Sequence, residues 1–102
     1  MNWHDRIAIP DRATLDRLCA SYRVTRLWLF GSVLRDDFRP ESDVDVLVEF
    51  EPEAPIGLIE LSRFQGDLAS IFGRAVDLVP LGGLKPVLRD RVLAARELLY
   101  AA

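Results

Sequence analysis

The residues of this sequence best suited to chemistry are two aspartates, Asp43 and Asp45, the first of which lies eight residues beyond the segment 30–35. That segment contains the pair Gly31-Ser32, and the aspartates alternate with valines in an otherwise apolar run. An unpaired charge in a buried strand is costly, so these carboxylates need a partner. A metal ion is the partner that suits them best.

A third carboxylate, Asp77, interrupts a later apolar run and is expected at the same edge of a sheet. Two carboxylates about 4 Å apart repel by roughly 4 kcal/mol at an effective dielectric constant near 20, and a third raises the cost. Oxygen ligands without histidine or cysteine suit Mg²⁺ or Mn²⁺ better than zinc. Two such ions are the usual device for in-line attack on a phosphoryl centre, so the sequence predicts phosphoryl chemistry.

The Gly31-Ser32 pair supplies the elements of a phosphate site. Gly31 allows the backbone to approach closely, while the Ser32 hydroxyl and the amides that follow it can bind phosphate oxygens. Arg35 lies one turn further on and could neutralise phosphate charge. The sequence contains no G-x-x-x-x-G-K-[ST], so a P-loop is not the means of holding the phosphates.

Taken singly, each of these features also has an ordinary structural explanation. An Asp-x-Asp is most often part of a surface strand or a turn, a Gly-Ser pair usually marks a loop, and Arg35 could be a solvated arginine. An aspartate inside Val-Asp-Leu-Val is more informative, because a half-buried strand rarely keeps an unpaired charge. The convergence of the features, rather than any one of them, favours a catalytic site.

The remaining pattern predicts helices and strands in alternation. Apolar residues at helical spacing predict a first helix capped by Asp11 and a second over residues 57–72, closed by Gly73. Apolar runs predict three strands, at residues 24–30, 44–50 and about 75–79. Cys19 falls on the apolar stripe of the first helix, so we expect it in the core rather than in a nucleophilic role.

Two further segments are interpreted as helical. Residues 35–42 are expected to form a short helical turn and a loop, with Pro40 preventing regular continuation. Apolar spacing predicts a final helix over about residues 85–100, with Pro86 in its first turn. The predicted fold is α+β with the order α-β-α-β-α-β-α, a small mixed sheet of three strands, or four, flanked by helices. The first two strands are expected to be antiparallel and the second and third parallel.

Composition bounds the class of protein. At 102 residues, half of them hydrophobic, the chain is expected to be a single domain over residues 1–102. A net charge of −3 argues against stable nucleic-acid binding, and no apolar run is long enough for a membrane span. One cysteine and no signal peptide favour the cytoplasm. The only histidine, His4, is expected at the surface.

These motifs resemble the nucleotidyltransferase superfamily typified by DNA polymerase beta. The resemblance rests on Gly31-Ser32, ten intervening residues, Asp43-Val44-Asp45 and the later strand residue Asp77. More narrowly, roughly residues 7–100 are similar to the minimal nucleotidyltransferases, or MNT proteins, which comprise little beyond this catalytic core.

The resemblance implies a role for each matching position. Asp43 and Asp45 would bridge two metal ions, Mg²⁺ or Mn²⁺, and Asp77 would complete one metal site and help to deprotonate the attacking hydroxyl. Gly31 and Ser32 would hold the outer phosphates of ATP. Two further nucleotide-binding candidates lie nearby, namely Arg35 and Ser42.

The resemblance also implies a partner. MNT proteins are commonly the antitoxins of helical HEPN ribonuclease toxins, and members of the family transfer AMP from ATP to a tyrosine of the toxin with release of pyrophosphate. A hetero-oligomer with such a toxin is therefore expected. The exposed side of the last helix, with Lys85, Arg89 and Arg96, or the 49–53 turn could dock it.

Two alternatives remain open at this point. The chain could be an antitoxin that neutralises its toxin by binding alone, or a nucleotidyltransferase that acts on a small molecule or an RNA end. The presence of all three aspartates argues against a degenerate site, but the residues do not encode the acceptor hydroxyl.

Overall fold

The fold is built around a four-stranded mixed sheet in a computed structural model that describes residues 7–8, 11–35 and 38–102. The helices are α1 (Arg12–Ser21), α2 (Leu58–Phe72) and α3 (Pro86–Ala95). The strands are β1 (Val24–Phe30), β2 (Val44–Phe50), β3 (Val76–Pro80) and β4 (Glu97–Ala101), in the spatial order β3-β2-β1-β4. Short 3₁₀ helices follow β1 and β3, at Gly31–Leu34 and Leu81–Gly83.

The strand pairing agrees with the prediction. β1 and β2 are antiparallel, whereas β2 and β3 are parallel and are joined through α2. The predicted bounds of β1 and β2 match the observed ones, and β3 is displaced by one residue. The α+β fold class is therefore confirmed.

The main core lies between one face of the sheet and helices α1 and α2. The strands contribute alternate apolar side chains to this core because successive residues of a strand point to opposite faces. The helices contribute Leu15 and Cys19 from α1 and three fully covered side chains from α2: Phe64, Leu68 and Phe72. Cys19 is thus a core residue, as predicted, and burial raises the pKa of its thiol to about 12.

Helix α2 begins and ends as its sequence predicts. Gly57 is its N-cap residue, and Gly73 takes a left-handed conformation with φ of 68° at its C-terminus. Midway along the helix, Gln65 accepts a hydrogen bond through its side-chain oxygen from the Leu78 backbone N–H at 3.1 Å. This contact satisfies a backbone donor on the outer edge of β3.

The expected capping of α1 by the Asp11 side chain is not seen. Asp11 occupies the N-cap position, but its carboxylate makes no hydrogen bond to the backbone amides of the first turn. It accepts the Thr14 hydroxyl instead, and this hydrogen bond lowers the pKa of Asp11.

The predicted final helix over residues 85–100 is wrong in its second half. Helix α3 ends at Ala95, Arg96 is extended with ψ of 147°, and β4 pairs antiparallel with β1. Leu98 and Leu99 continue the helical spacing, but pairing with the otherwise open edge of β1 satisfies more backbone groups. It also buries Tyr100, which is only 7% exposed.

The predicted helical turn over residues 35–42 is also displaced. The helical residues are Gly31–Leu34, anchored by the fully buried Val33, and Arg35 is already extended. Residues 38–42 form a loop with a turn, in which the Ser42 N–H donates to the Arg39 carbonyl at 2.9 Å. The position of His4 lies outside the described residues.

None of the helices among the described residues combines the length and apolar character needed to cross a lipid bilayer.

Candidate active site

Neighbouring strands bring the predicted aspartates to one end of the sheet. Asp45 on β2 is directly in register with Asp77 on β3, because these two strands are parallel. Asp43 immediately precedes β2. Asp43 and Asp77 are exposed, whereas Asp45 is half-buried. The structure therefore assembles the three carboxylates from separate places in the sequence.

Asp45 is the electrostatic centre of this group. Burial, followed by the like charges of Asp77 and Asp43, raises the pKa of its carboxyl. A hydrogen bond from the Ser32 backbone N–H and the positive charge of Arg35 act in the opposite direction. The net upward shift means that the negative charge of Asp45 is incompletely compensated by the protein.

Gly31 is required where the chain turns beside Asp45. Its φ of +76° is a conformation that residues with a Cβ rarely adopt. A Cβ built on Gly31 would overlap the Asp45 carboxylate. The turn and the aspartate are therefore in direct contact, and only glycine leaves room for both.

Ser32 contributes to the site first through its backbone. Its N–H donates to Asp45, and its carbonyl accepts the Arg35 N–H at 2.9 Å. The Ser32 amide is thus engaged with a carboxylate, whereas the predicted phosphate ligands are the Ser32 hydroxyl and the amides that follow it. The half-buried Ser32 hydroxyl makes no hydrogen bond to another residue of the described ranges.

Arg35 and Ser42 flank the aspartates on different segments. Arg35 is exposed at the end of the 3₁₀ helix, close enough to lower the pKa of Asp45. Ser42 adjoins Asp43 in sequence, but its hydroxyl accepts the Arg39 backbone N–H at 3.1 Å. In this structure, the Ser42 side chain therefore serves the loop that leads into β2.

Arg74 is a residue that the sequence analysis missed. Its guanidinium lies 4.6 Å from the centre of the Phe38 ring. Its Nη1 donates to three loop carbonyls, those of Arg39 at 3.2 Å, Pro40 at 2.8 Å and Ser42 at 3.1 Å. These bonds fix the backbone leading to Asp43. Nothing in the sequence distinguishes this arginine from a surface residue.

A pocket of about 580 Å³ opens beside Asp45. The end of β1, the 3₁₀ helix that follows it and one face of α3 all contribute to its lining. Its lining comprises Phe30, Gly31, Leu34, Arg35, Asp45, Leu88, Arg91, Val92, Ala95 and Glu97. The apolar positions of α3, which the sequence analysis used to predict a helix, therefore face a cavity.

The donor set suits a hard cation. Asp43, Asp45 and Asp77 offer only oxygen atoms. The pKa of Asp45 is raised first by burial and then by repulsion from Asp77 and Asp43, and a divalent cation would relieve that repulsion. Within the described part of the chain, no three acidic, histidine or cysteine side chains are gathered as a ready-made metal site. Binding would thus require the exposed Asp43 and Asp77 side chains to turn toward Asp45.

The arrangement combines the two requirements of phosphoryl transfer. Carboxylates that can hold cations lie next to a glycine turn that allows a ligand to approach the backbone. The pocket offers arginine side chains near both and apolar walls on two sides. A phosphorylated ligand with an apolar moiety fits this chemistry.

Comparison with known proteins agrees with a site suited to phosphoryl transfer. The sequence profile of the nucleotidyltransferase domain matches residues 12–99. The chain is 37% identical over 79 residues to the protein adenylyltransferase MntA of Thermococcus cleftensis, a match that covers 78% of this chain and 76% of that protein.

Solved structures extend the similarity. A protein described as a minimal nucleotidyltransferase superposes with a TM-score of 0.69 at 33% identity, over 95% of both chains. A complex of a tri-AMPylated HEPN toxin and its MNT antitoxin from Shewanella oneidensis gives a TM-score of 0.62 at 24% identity. That match covers 88% of this chain and 69% of the other, and it shows a shared fold.

Proposed function

This chain belongs to the nucleotidyltransferase domain family, and from that premise we propose that it is the antitoxin of a HEPN/MNT toxin–antitoxin pair that transfers AMP from ATP to a tyrosine hydroxyl of the toxin. The observation that carries the proposal is the register of Asp45 and Asp77 beside Gly31. The carboxylates and the glycine turn that such a transfer would require meet at one end of the sheet, which supports an active enzyme.

Members of the family generally use divalent metal ions, and the aspartates are the residues that would hold them here. Asp43 and Asp45 would each contribute to two sites, and Asp77 to one. Bound Mg²⁺, or Mn²⁺, would supply positive charge that offsets the charge on the reacting phosphates. The incompletely compensated charge of Asp45 supports this assignment.

The chain's own residues would hold the donor and move one proton. The Gly31 backbone and the Ser32 hydroxyl would bind the outer phosphates, with Arg35 and Ser42 as further candidates. The tyrosine oxygen forms a bond to the α-phosphorus, the bond from that phosphorus to the bridging oxygen of the β-phosphate breaks, and pyrophosphate leaves. The hydroxyl proton passes to a carboxylate oxygen of Asp77, whose side chain is exposed to solvent.

The proposed acceptor comes from the relatives. The Thermococcus cleftensis protein is named a protein adenylyltransferase, and the Shewanella oneidensis complex contains an AMPylated HEPN toxin. We infer a hetero-oligomer of this single-domain chain, residues 1–102, with such a toxin in the cytoplasm.

One contact reduces the set of basic residues that could dock the toxin. The Arg96 guanidinium lies 4.8 Å from the centre of the Trp28 ring, so it packs on the sheet rather than standing out from α3. Of the basic residues first considered, Lys85 and Arg89 remain exposed. They and the acidic 49–53 turn are the two candidate docking surfaces.

The test is transfer of label from ATP. The purified chain, Mg²⁺, ATP labelled at its α-phosphate and the product of the adjacent gene should yield a labelled partner protein. A variant with Asp43→Ala and Asp45→Ala should yield none. Asp90→Ala is the matched control, because Asp90 is an exposed carboxylate on α3 that does not line the pocket.

Each alternative predicts a different outcome. Labelling that survives the double substitution would overturn the mechanism. If the double variant protected cells from the toxin as well as the wild type does, neutralisation by binding alone would replace the proposal. Labelling of a small molecule or an RNA end in the absence of partner protein would point to another acceptor.

A further inference from the structure

Helix α3 presents an apolar face to the pocket instead of to the core. The residues Leu88, Arg91, Val92 and Ala95 follow helical spacing and line the cavity together. No residue of α3 is buried, and Leu88 is 44% exposed. Apolar residues on one face of a helix normally pack against another element, and no element formed by the described residues covers this face.

The other lining residues of the pocket include those of the candidate active site. Phe30 and Leu34 supply apolar surface there, and Gly31 and Asp45 connect it with the carboxylates. The volume of about 580 Å³ lies within the range of small-molecule and cofactor sites. The pocket is therefore continuous with the catalytic centre and large enough to hold part of its substrate.

Arg91 is the one basic residue that α3 contributes to this lining. It is exposed, and no hydrogen bond or ion pair joins its guanidinium to another residue of the described ranges. An arginine offers a planar set of donors that matches phosphate oxygens in pairs. Here it lines the same cavity as the turn that begins at Gly31.

We propose that Arg91 binds the phosphates of the nucleoside triphosphate from the α3 side of the pocket, while Leu88 and Val92 pack against its nucleoside. This inference rests on the proposed function and adds to the site a wall that the Gly31-Ser32 and aspartate motifs do not include. An occupant with a polyanionic end and an apolar face matches both the arginine and the exposed helix face. Glu97, the acidic member of the wall, is an acceptor suited to ribose hydroxyls.

The experiment compares nucleotide affinities by isothermal titration calorimetry. The full chain with Mg²⁺ is titrated with a non-hydrolysable ATP analogue, and separately with adenosine. Arg91→Ala should weaken binding of the analogue by about 10- to 100-fold, as expected for loss of hydrogen bonds between charged groups. Adenosine affinity should change by less than about threefold, because it carries no phosphate.

Arg63→Ala is the control, since Arg63 is an exposed arginine on α2 and lies outside the pocket lining. It should bind the analogue as the wild type does. Arg91→Lys should recover part of the lost affinity through charge alone. Circular dichroism checks that the variants keep the fold. We expect the α3 variants to do so, because α3 has no buried side chains.

The outcomes separate this inference from the proposed function. Unchanged affinity of Arg91→Ala for the analogue would overturn the inference and leave the adenylyltransferase proposal standing. Equal losses for the analogue and for adenosine would overturn the phosphate assignment. A wild-type chain that binds no nucleotide would overturn the proposed function and the inference with it.

Discussion

Asp45 is the residue on which the candidate site depends. It contacts the turn at Gly31, accepts a hydrogen bond from the Ser32 amide and is in register with Asp77. One side chain therefore links the phosphate-binding turn with the other carboxylates. Substitution of Gly31 should show how much the free energy of unfolding depends on the close approach of the turn to Asp45. Substitution of Asp45 should show how stability and activity change when its charge is removed.

The first prediction concerns the two glycines Gly31 and Gly66. Gly31→Ala should destabilise the fold by about 1–3 kcal/mol or more, because alanine must adopt a positive φ and displace the Asp45 carboxylate. Gly66→Ala is the matched control, since Gly66 lies within α2 and a methyl group there would meet nothing within 4 Å. It should stabilise by about 0.5–1 kcal/mol. Urea unfolding would measure both, and equal effects would contradict the assignment.

The second prediction uses the raised pKa of Asp45. In the absence of metal, the native state holds this proton more tightly than the unfolded chain, so stability falls as the pH rises through the raised pKa. Asp45→Asn, which does not titrate, should therefore unfold at a higher temperature than wild type at pH 7 in EDTA. The difference should shrink toward about pH 4, where the unfolded aspartate is protonated.

The groups that face Asp45 decide the sign of this prediction. Asp77 and Asp43 raise its pKa, whereas Arg35 and the Ser32 amide lower it. If Asp45→Asn were less stable than wild type at pH 7, the hydrogen bond and the arginine would outweigh burial and repulsion. Loss of transfer activity in the same variant is expected in either case.

At the scale of elements, the sheet and α3 have contrasting roles. The central strands β1 and β2 are largely buried, and the parallel pairing of β2 with β3 holds Asp45 and Asp77 in a defined register. Helix α3 has no buried side chain and forms one side of the pocket. Segments with few buried contacts open at low free-energy cost, so α3 should be the element most sensitive to bound nucleotide.

Hydrogen exchange tests this third prediction. Backbone amides of α3 should exchange faster than those of α2 in the free protein, because α2 buries Phe64, Leu68 and Phe72. Addition of Mg²⁺ and a non-hydrolysable ATP analogue should slow exchange in α3 and leave α2 nearly unchanged. If the nucleotide slowed exchange only in other segments, α3 would not form part of the nucleotide site.

The fourth prediction tests β4, which the sequence analysis placed in a helix. Tyr100 is buried in the core, so Tyr100→Ala should cost about 3–5 kcal/mol. Leu98→Ala is the control within the same strand, because Leu98 is 55% exposed, and it should cost less than about 1 kcal/mol. The two positions lie on either side of the β-bulge at which the pairing of β4 with β1 shifts register, so that their exposures differ. Equal costs at the two positions would contradict this placement of β4. Thermal unfolding followed by circular dichroism would provide the comparison.

At the scale of the whole molecule, ligand and metal should stabilise the fold only together. With Mg²⁺ and an ATP analogue at about 100 times its dissociation constant, the free energy of unfolding should rise by about 2.7 kcal/mol. EDTA should remove most of this gain, because the aspartates would again repel one another and the phosphates. The variant with Asp43→Ala and Asp45→Ala should show little response to Mg²⁺, measured as the shift in melting temperature.

Much of the architecture follows from local sequence signals. The bounds of β1 and β2 could be read from apolar runs, and α2 from helical spacing with Gly73 at its end. The convergence of the aspartates followed from the antiparallel and parallel pairings. These features depend on residues close in sequence, or on general rules of strand connection.

Features that depend on residues far apart in sequence could not be predicted from local sequence patterns. Leu98 and Leu99 keep a helical period, and only the open edge of β1 makes them a strand. The contact between Gly31 and Asp45 requires the folded structure, as do the three carbonyl bonds of Arg74. Arg91 carries no local signal because its surroundings come from β1 and the 3₁₀ helix.

Because the site depends on the parallel register of β2 and β3, catalytic activity also indicates whether the chain has folded in the correct register. A slip of one residue between these strands would turn Asp77 toward the apolar core and Val76 toward solvent, since successive side chains point to opposite faces. Such a misfolded chain could keep its secondary structure yet lose the register of Asp45 with Asp77. Specific activity per molecule should therefore measure the correctly registered fraction of a preparation, which spectroscopic helix and strand contents would overestimate.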